Sequence, residues 1–118
     1  MAYIDGFLLA VPTGNRQAYK ALAEWMVPLF KDHGALKVVE CWGDDVPDGK
    51  VTSFPMAVKA EPGETVVFSW VVWPSKEARD AGSQAMMADP RMQEMDMSKA
   101  PFDGQRMMFG GFEVLVDV

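Results

Sequence analysis

Apolar side chains occupy both parities between Tyr3 and Val11: Tyr3, Phe7, Leu9 and Val11 on one, Ile4, Leu8 and Ala10 on the other. Period-two spacing predicts a strand with apolar groups on both faces, ended by Pro12. A short turn follows, with Asn15 in the position of a helix N-cap. From Arg16 to about His33 the period changes. Tyr19, Leu22, Ala23, Met26, Leu29 and Phe30 recur at i, i+3, i+4 and i+7, with the charged residues mostly elsewhere, which predicts an amphipathic helix. Pro28 lies inside it and is expected to bend it near Glu24, whose carbonyl the ring displaces. Gly34 suits the residue that follows a helix end.

Leu36 to Trp42 predicts a second strand, and "GDDVPDGK" a turn cluster. Val51 to Lys59 reads as an extended, inserted edge strand despite Pro55. In "TVVFSWVVW", Thr65 to Trp73, the residues Val66, Phe68, Trp70 and Val72 face one way and Val67, Val71 and Trp73 the other. Pro74 and Ser75 end that strand and cap a helix from Lys76 to Ala88, with Ala78, Ala81, Ala85 and Met86 as its buried stripe. Asp89 caps a short helix that starts at Pro90. Arg106 to Val116 is the last strand, with Gly110 and Gly111 at its middle, where another group comes close to the backbone. The fold class is therefore α+β in a single domain, 1–118. A split β-α-β repeat with one inserted edge strand makes a ferredoxin-like antiparallel sheet with both long helices on one face.

Two helices cover one face of such a sheet, and a wet second face should be polar at alternate positions. Three of the strands are apolar on both parities instead. About six large side chains left in water would forfeit roughly 1.5–3 kcal/mol each. That total rivals the roughly 5–15 kcal/mol stability of a whole domain. The expected cover is a second copy across a two-fold axis, closing two sheets face to face into an α/β barrel.

Composition narrows the partners. The 118 residues carry a net charge of −6 with no basic stripe, which argues against a nucleic-acid partner. No segment reaches the ~20 apolar residues of a membrane span. The N-terminal run has no basic flank and is interrupted by Asp5, so it reads as a strand and not a signal peptide, and cytoplasm is the expected location. One cysteine excludes an internal disulfide and multi-cysteine metal motifs.

The segments "GNRQAYKALA", "VVECWGDDVPDGKVTSFPMAVKAEPGETVVFSWVVWPS", "ADPRM" and "PFDGQRMMFGGFEVLV" run almost from end to end of the chain. Together they resemble the YbaA-like family of uncharacterised bacterial proteins. That resemblance implies a member of the dimeric α/β-barrel superfamily with ferredoxin-like protomers. It brings no catalytic motif and no cofactor, so none is assigned.

Each remaining candidate has a structural reading beside a chemical one. Cys41 has acidic neighbours, which oppose a reactive thiolate, and is expected to be buried. Asp44, Asp45 and Asp48 lack calcium-loop spacing and read as a solvated turn. His33 is expected to interact with the dipole of the helix it ends. The methionines Met86, Met87, Met92, Met95 and Met97, with Met107 and Met108, are expected to fill gaps and not to bind Cu(I), so no metal site is expected. Trp42 ends its strand, placed to wall a pocket mouth with Trp70 or Trp73. Tyr19, Trp42, Trp70 and Arg106 are the candidate ligand-binding residues. Arg106 is set either to grip a carboxylate with both guanidinium nitrogens or to close its own loop on Asp103.

The expected function is a homodimeric barrel holding a small molecule in a cleft between helices and sheet. A cofactor-independent monooxygenase- or isomerase-like enzyme using that cleft, and an interaction dimer without ligand, are the alternatives.

Overall fold

The computed structural model describes residues Met1–Val118. Its elements are β1 (Tyr3–Pro12), α1 (Arg16–Asp32), β2 (Lys37–Trp42), α2 (Phe54–Ala57), β3 (Glu64–Trp73), α3 (Lys76–Ala88), α4 (Pro90–Gln93) and β4 (Met108–Glu113). The four strands form one antiparallel sheet in the order β2-β3-β1-β4. The α+β reading and the main helix periods therefore hold. No helix is long and apolar enough to cross a membrane.

Register divides the residues between two faces. Tyr3, Asp5, Phe7 and Leu9 of β1 pair with Trp73, Val71, Ser69 and Val67 of β3, so one parity of each strand looks toward the helices. Val38, Glu40 and Trp42 of β2 join that face opposite Val71, Ser69 and Val67. Leu29 of α1, Met86 of α3, Val71 and Trp73 form one core cluster, and Tyr19 packs with Leu9, Val11 and Val67 in a second. The Trp73 indole N–H donates to the Asp5 carboxylate at 2.9 Å, and Arg79 reaches the same carboxylate at 3.0 Å. A polar residue in the middle of β1 is thereby satisfied.

The opposite face stays largely uncovered. Phe68 is 45% exposed, Met108 45% and Phe112 61%. Ile4, Leu8, Val39, Trp70 and Val72 lie among them, half-buried. Only fourteen residues are buried, and the accessible surface is 7893 Å². A folded chain of this mass ordinarily exposes roughly 6,400 Å², so the protomer carries roughly 1,500 Å² in excess.

Several local expectations are corrected. Residues 51–59 do not form an edge strand. Ser53 accepts the Met56 amide at 3.1 Å and Pro55 sits in the first turn, so Ser-Phe-Pro-Met is a capped helix start, α2. The segment then buries Val58 against Ala10 and Val66, covering one end of the otherwise open face. Cys41 is exposed, because it lies on the uncovered parity of an edge strand. Asn15 does not cap α1; its amide donates to the Pro101 carbonyl at 3.0 Å, tying the loop before β4 to the start of that helix. In α3 the buried residues are Gly82 and Met86, while Ala81 is exposed. A Cβ at Gly82 would lie 2.5 Å from both the His33 carbonyl and the Trp73 ring, so glycine lets α3 close on the end of α1. The last strand is shorter than expected. Its partner β1 begins only at Tyr3, opposite Glu113, and Asp103 caps a 3-10 turn over Gly104–Arg106 that delays its start.

Candidate functional site

The first two turns of α1 lie over the helix-facing side of β2. The helical stripe brings Tyr19 inward, and strand parity brings Glu40 and Trp42 up to meet it. The Tyr19 hydroxyl donates to Glu40 Oε1 at 2.6 Å. Ser69 stands opposite Glu40 across the β2–β3 ladder, its hydroxyl on the same face as the carboxyl. Phe102 meets the Tyr19 ring edge-on, with centroids 5.8 Å apart.

Two cavities meet at this pair. The outer groove, of about 360 Å³, is lined by Arg16, Lys20, Val27, Val38 and Trp42 among others. The inner pocket, of about 230 Å³, lies beneath α1 and is almost wholly apolar, with Phe7, Leu22 and Phe30 in its lining. Met26, Met92, Met95, Met97 and Met107 also line it, so the methionine-rich segment after α4 folds back as a wall. Tyr19, Ala23 and Glu40 belong to both cavities.

The electrostatics follow from that position. Glu40 keeps an exposed edge in the groove, while its carboxyl is crowded by helix and strand. Burial raises its pKa above the ordinary carboxylate range, and the Tyr19 hydrogen bond, with the nearby Ser69 hydroxyl, offsets part of the rise. Burial, with the Glu40 carboxylate as the second cause, raises the Tyr19 phenol far above its usual value, so Tyr19 stays a donor. The Arg16 guanidinium sits over the Trp42 ring, 5.6 Å from its centroid. Neither Arg16 nor Lys20 takes part in any of the molecule's ion pairs.

Residues 2–104 match the family described as "Protein of unknown function (DUF1428)". The chain belongs to that family. It is 60% identical over 117 residues to the uncharacterized protein YbaA of Escherichia coli strain K12, an alignment covering 99% of each chain. The YbaA proteins of Escherichia coli O157:H7 and Shigella flexneri match to the same extent.

Of the four candidate residues in this DUF1428 chain, Tyr19 and Trp42 share the groove. Trp70 lies on the uncovered face of the sheet beside Phe68, and Trp73 is a core residue. Arg106 has its fork filled from within the chain. Its Nη1 and Nη2 donate to the two Glu64 oxygens at 2.7 and 2.8 Å, and its Nε to Asp103 at 3.1 Å. Arg106 thus grips a carboxylate with two nitrogens, but that carboxylate is Glu64. His33 follows α1 as expected and also meets Asp89 at 2.8 Å, joining that helix to the cap of α4. The residue that sequence reasoning did not single out is Glu40. Its signal was available, since it shares a strand parity with Val38 and Trp42 and is the polar exception there.

Proposed function

We propose that this chain is the ferredoxin-like protomer of a homodimeric α/β barrel that binds a small, largely apolar molecule between α1 and the sheet. The observation that carries the ligand half is the Tyr19–Glu40 pair, a hydrogen-bonded polar pair at the junction of two cavities with mostly apolar walls. Few polar groups in an apolar cleft are how small-molecule sites fix orientation. The dimer half is supported by the order β2-β3-β1-β4 with one face uncovered, and by the excess of surface. That excess is about twice the ~800 Å² each partner contributes to a standard interface.

The test is a titration of the purified protein with a panel of lipophilic small molecules, read by tryptophan fluorescence and native mass spectrometry. Saturable quenching that disappears in Trp42→Phe, on a particle of twice the chain mass, is expected. Failure across the panel would leave an interaction dimer without ligand. A second reading has one observation in its favour. A carboxyl held above its ordinary range by burial, beside a phenol donor, is the equipment of a general acid or base. A cofactor-independent monooxygenase- or isomerase-like reaction would use it. Turnover of a hydroxyquinone-type substrate whose pH profile changes in Glu40→Gln would establish that reading.

A further inference from the structure

The charges around the cleft specify the kind of molecule it takes. Arg16 and Lys20 face the groove from α1 with no carboxylate partner, and Arg16 is held over Trp42. Glu24, also of α1, and Glu40 are the acids of the same groove. From β2, Cys41 borders the groove from the outward parity that it shares with Lys37, and β3 adds only the Ser69 hydroxyl. The inner pocket has methionines and aromatics from the segment after α4, and Glu40 and Tyr19 are its ionisable groups. With Glu40 protonated, the two cations against Glu24 leave one positive charge, which a single anion neutralises. With Glu40 ionised, the groove is already balanced, and an anion would face a carboxylate at the junction. A cationic ligand would instead have to face two cations that make no ion pair of their own.

We propose that the cleft selects amphipathic monocarboxylic acids, the apolar body lying in the methionine-lined pocket and the carboxylate at Arg16 and Lys20, with Glu40 taking up one proton from solvent as the anion binds. The proton comes from water and stays on Glu40, whose O–H then donates to the ligand carboxylate instead of repelling it. Tyr19 continues to donate to the other side of the same carboxyl. Five thioethers in the pocket wall favour both alkyl and aryl bodies, because methionine adapts to irregular shapes and meets aromatic rings well. The proposal rests on the reading that this cleft is a ligand site.

The experiment is isothermal titration calorimetry at one pH in phosphate and in Tris, which differ in ionisation heat. The probes are 4-phenylbutyrate and octanoate, with 4-phenylbutanamide as the neutral counterpart of the first. Both acids are expected to bind, with phenylbutyrate at least about 10-fold tighter than the amide. The heats should differ between buffers by an amount reporting uptake of up to one proton. Arg16→Gln with Lys20→Gln, on exposed positions, should lower acid affinity about 10-fold and leave the amide unchanged. Glu40→Gln should still bind the acids but lose the buffer dependence. Equal affinity for acid and amide, both weakened by Trp42→Phe, would overturn the charge selectivity while keeping the cleft as a site. Acid binding with no buffer dependence would overturn the proton uptake. No binding of any probe, with folding confirmed by circular dichroism, would overturn the site itself.

Discussion

Phe112 offers the sharpest test of the dimer. It stands on β4 opposite Ile4 and is 61% exposed in the protomer, on the face that the α2 segment covers only at one end. A fully exposed phenylalanine side chain presents roughly 200 Å², so roughly 120 Å² would leave water on dimerisation. At ~25 cal/mol per Å² that is about 3 kcal/mol per protomer, and about 6 kcal/mol across a two-fold interface. Interface area converts to affinity with losses. Even half of that value, about 3 kcal/mol, weakens the dimer more than 100-fold. Phe112→Asp should therefore convert a micromolar sample from dimer to monomer, with little effect on the fold of the protomer, because the ring is mostly in water there.

Phe109 supplies the control. It neighbours Phe112 on the same strand and is more exposed, at 74%, but its parity points toward the helix side, where it stacks on Phe7 with centroids 6.4 Å apart. Phe109→Asp should leave the dimer intact. Sedimentation velocity from about 1 to 100 μM reads both variants against the 13.1 kDa chain mass. A wild-type monomer throughout that range would refute the argument, as would equal disruption by both substitutions.

Gly82→Ala should lower the melting temperature. Alanine gains about 1 kcal/mol of helix propensity over glycine, but its Cβ would meet a backbone carbonyl and a buried indole at 2.5 Å, an overpacking cost of roughly 1–3 kcal/mol; a raised melting temperature would show that the end of α1 yields. The Asp89 carboxyl is held well below the ordinary range, by Arg91 first and His33 second. A depressed folded-state pKa contributes stability that is present above the ordinary carboxylate range and lost as pH falls from that range toward the depressed value. Asp89→Asn retains a capping oxygen, so the gap in urea midpoint between wild type and variant should be full at pH 6 and shrink toward pH 3; a constant gap would contradict the assignment. Tyr19→Phe removes a donor that favours the ionised form of Glu40, so the Glu40 carboxyl should titrate at higher pH by carbon-13 NMR, and a fall would show that the phenol does not favour the carboxylate.

Strand parity and helix period carried most of the architecture into the sequence. The tracts β1, α1 and β3 are long enough for periodicity to average out, and both parities of β3 already announced a sheet with two apolar faces. Residues 51–59 show where the reading stopped. In that tract Pro55 reads as an edge-strand proline, yet Ser53 two residues before it is a helix cap, and over nine residues a local hydrogen bond outweighs a weak strand pattern. The site was legible in halves. Trp42 is legible from aromatic content and Tyr19 as a polar candidate, whereas Glu40 enters the sequence reading only as a neighbour of Cys41. Asp5, Ser69 and Glu40 are polar residues set between apolar neighbours on helix-facing parities. Asking where each such residue finds its partner points to both the Trp73–Asp5–Arg79 network and the Tyr19–Glu40 pair.

The same two strands serve both surfaces of the molecule by alternation. On β3, Val67 and Ser69 face the cleft while Phe68 and Trp70 face the uncovered side. On β2, Glu40 and Trp42 face the cleft while Val39 and Cys41 face outward. As the edge strand, β2 is held by the ladder to β3 alone, so the position of Glu40 depends on how firmly that sheet is set. A chain with fourteen buried residues has little core with which to set it. Covering the open face adds apolar burial directly behind the residues that line the cleft. The proposed dimer and the proposed preorganised ligand site would be, in this fold, two consequences of one alternating pattern.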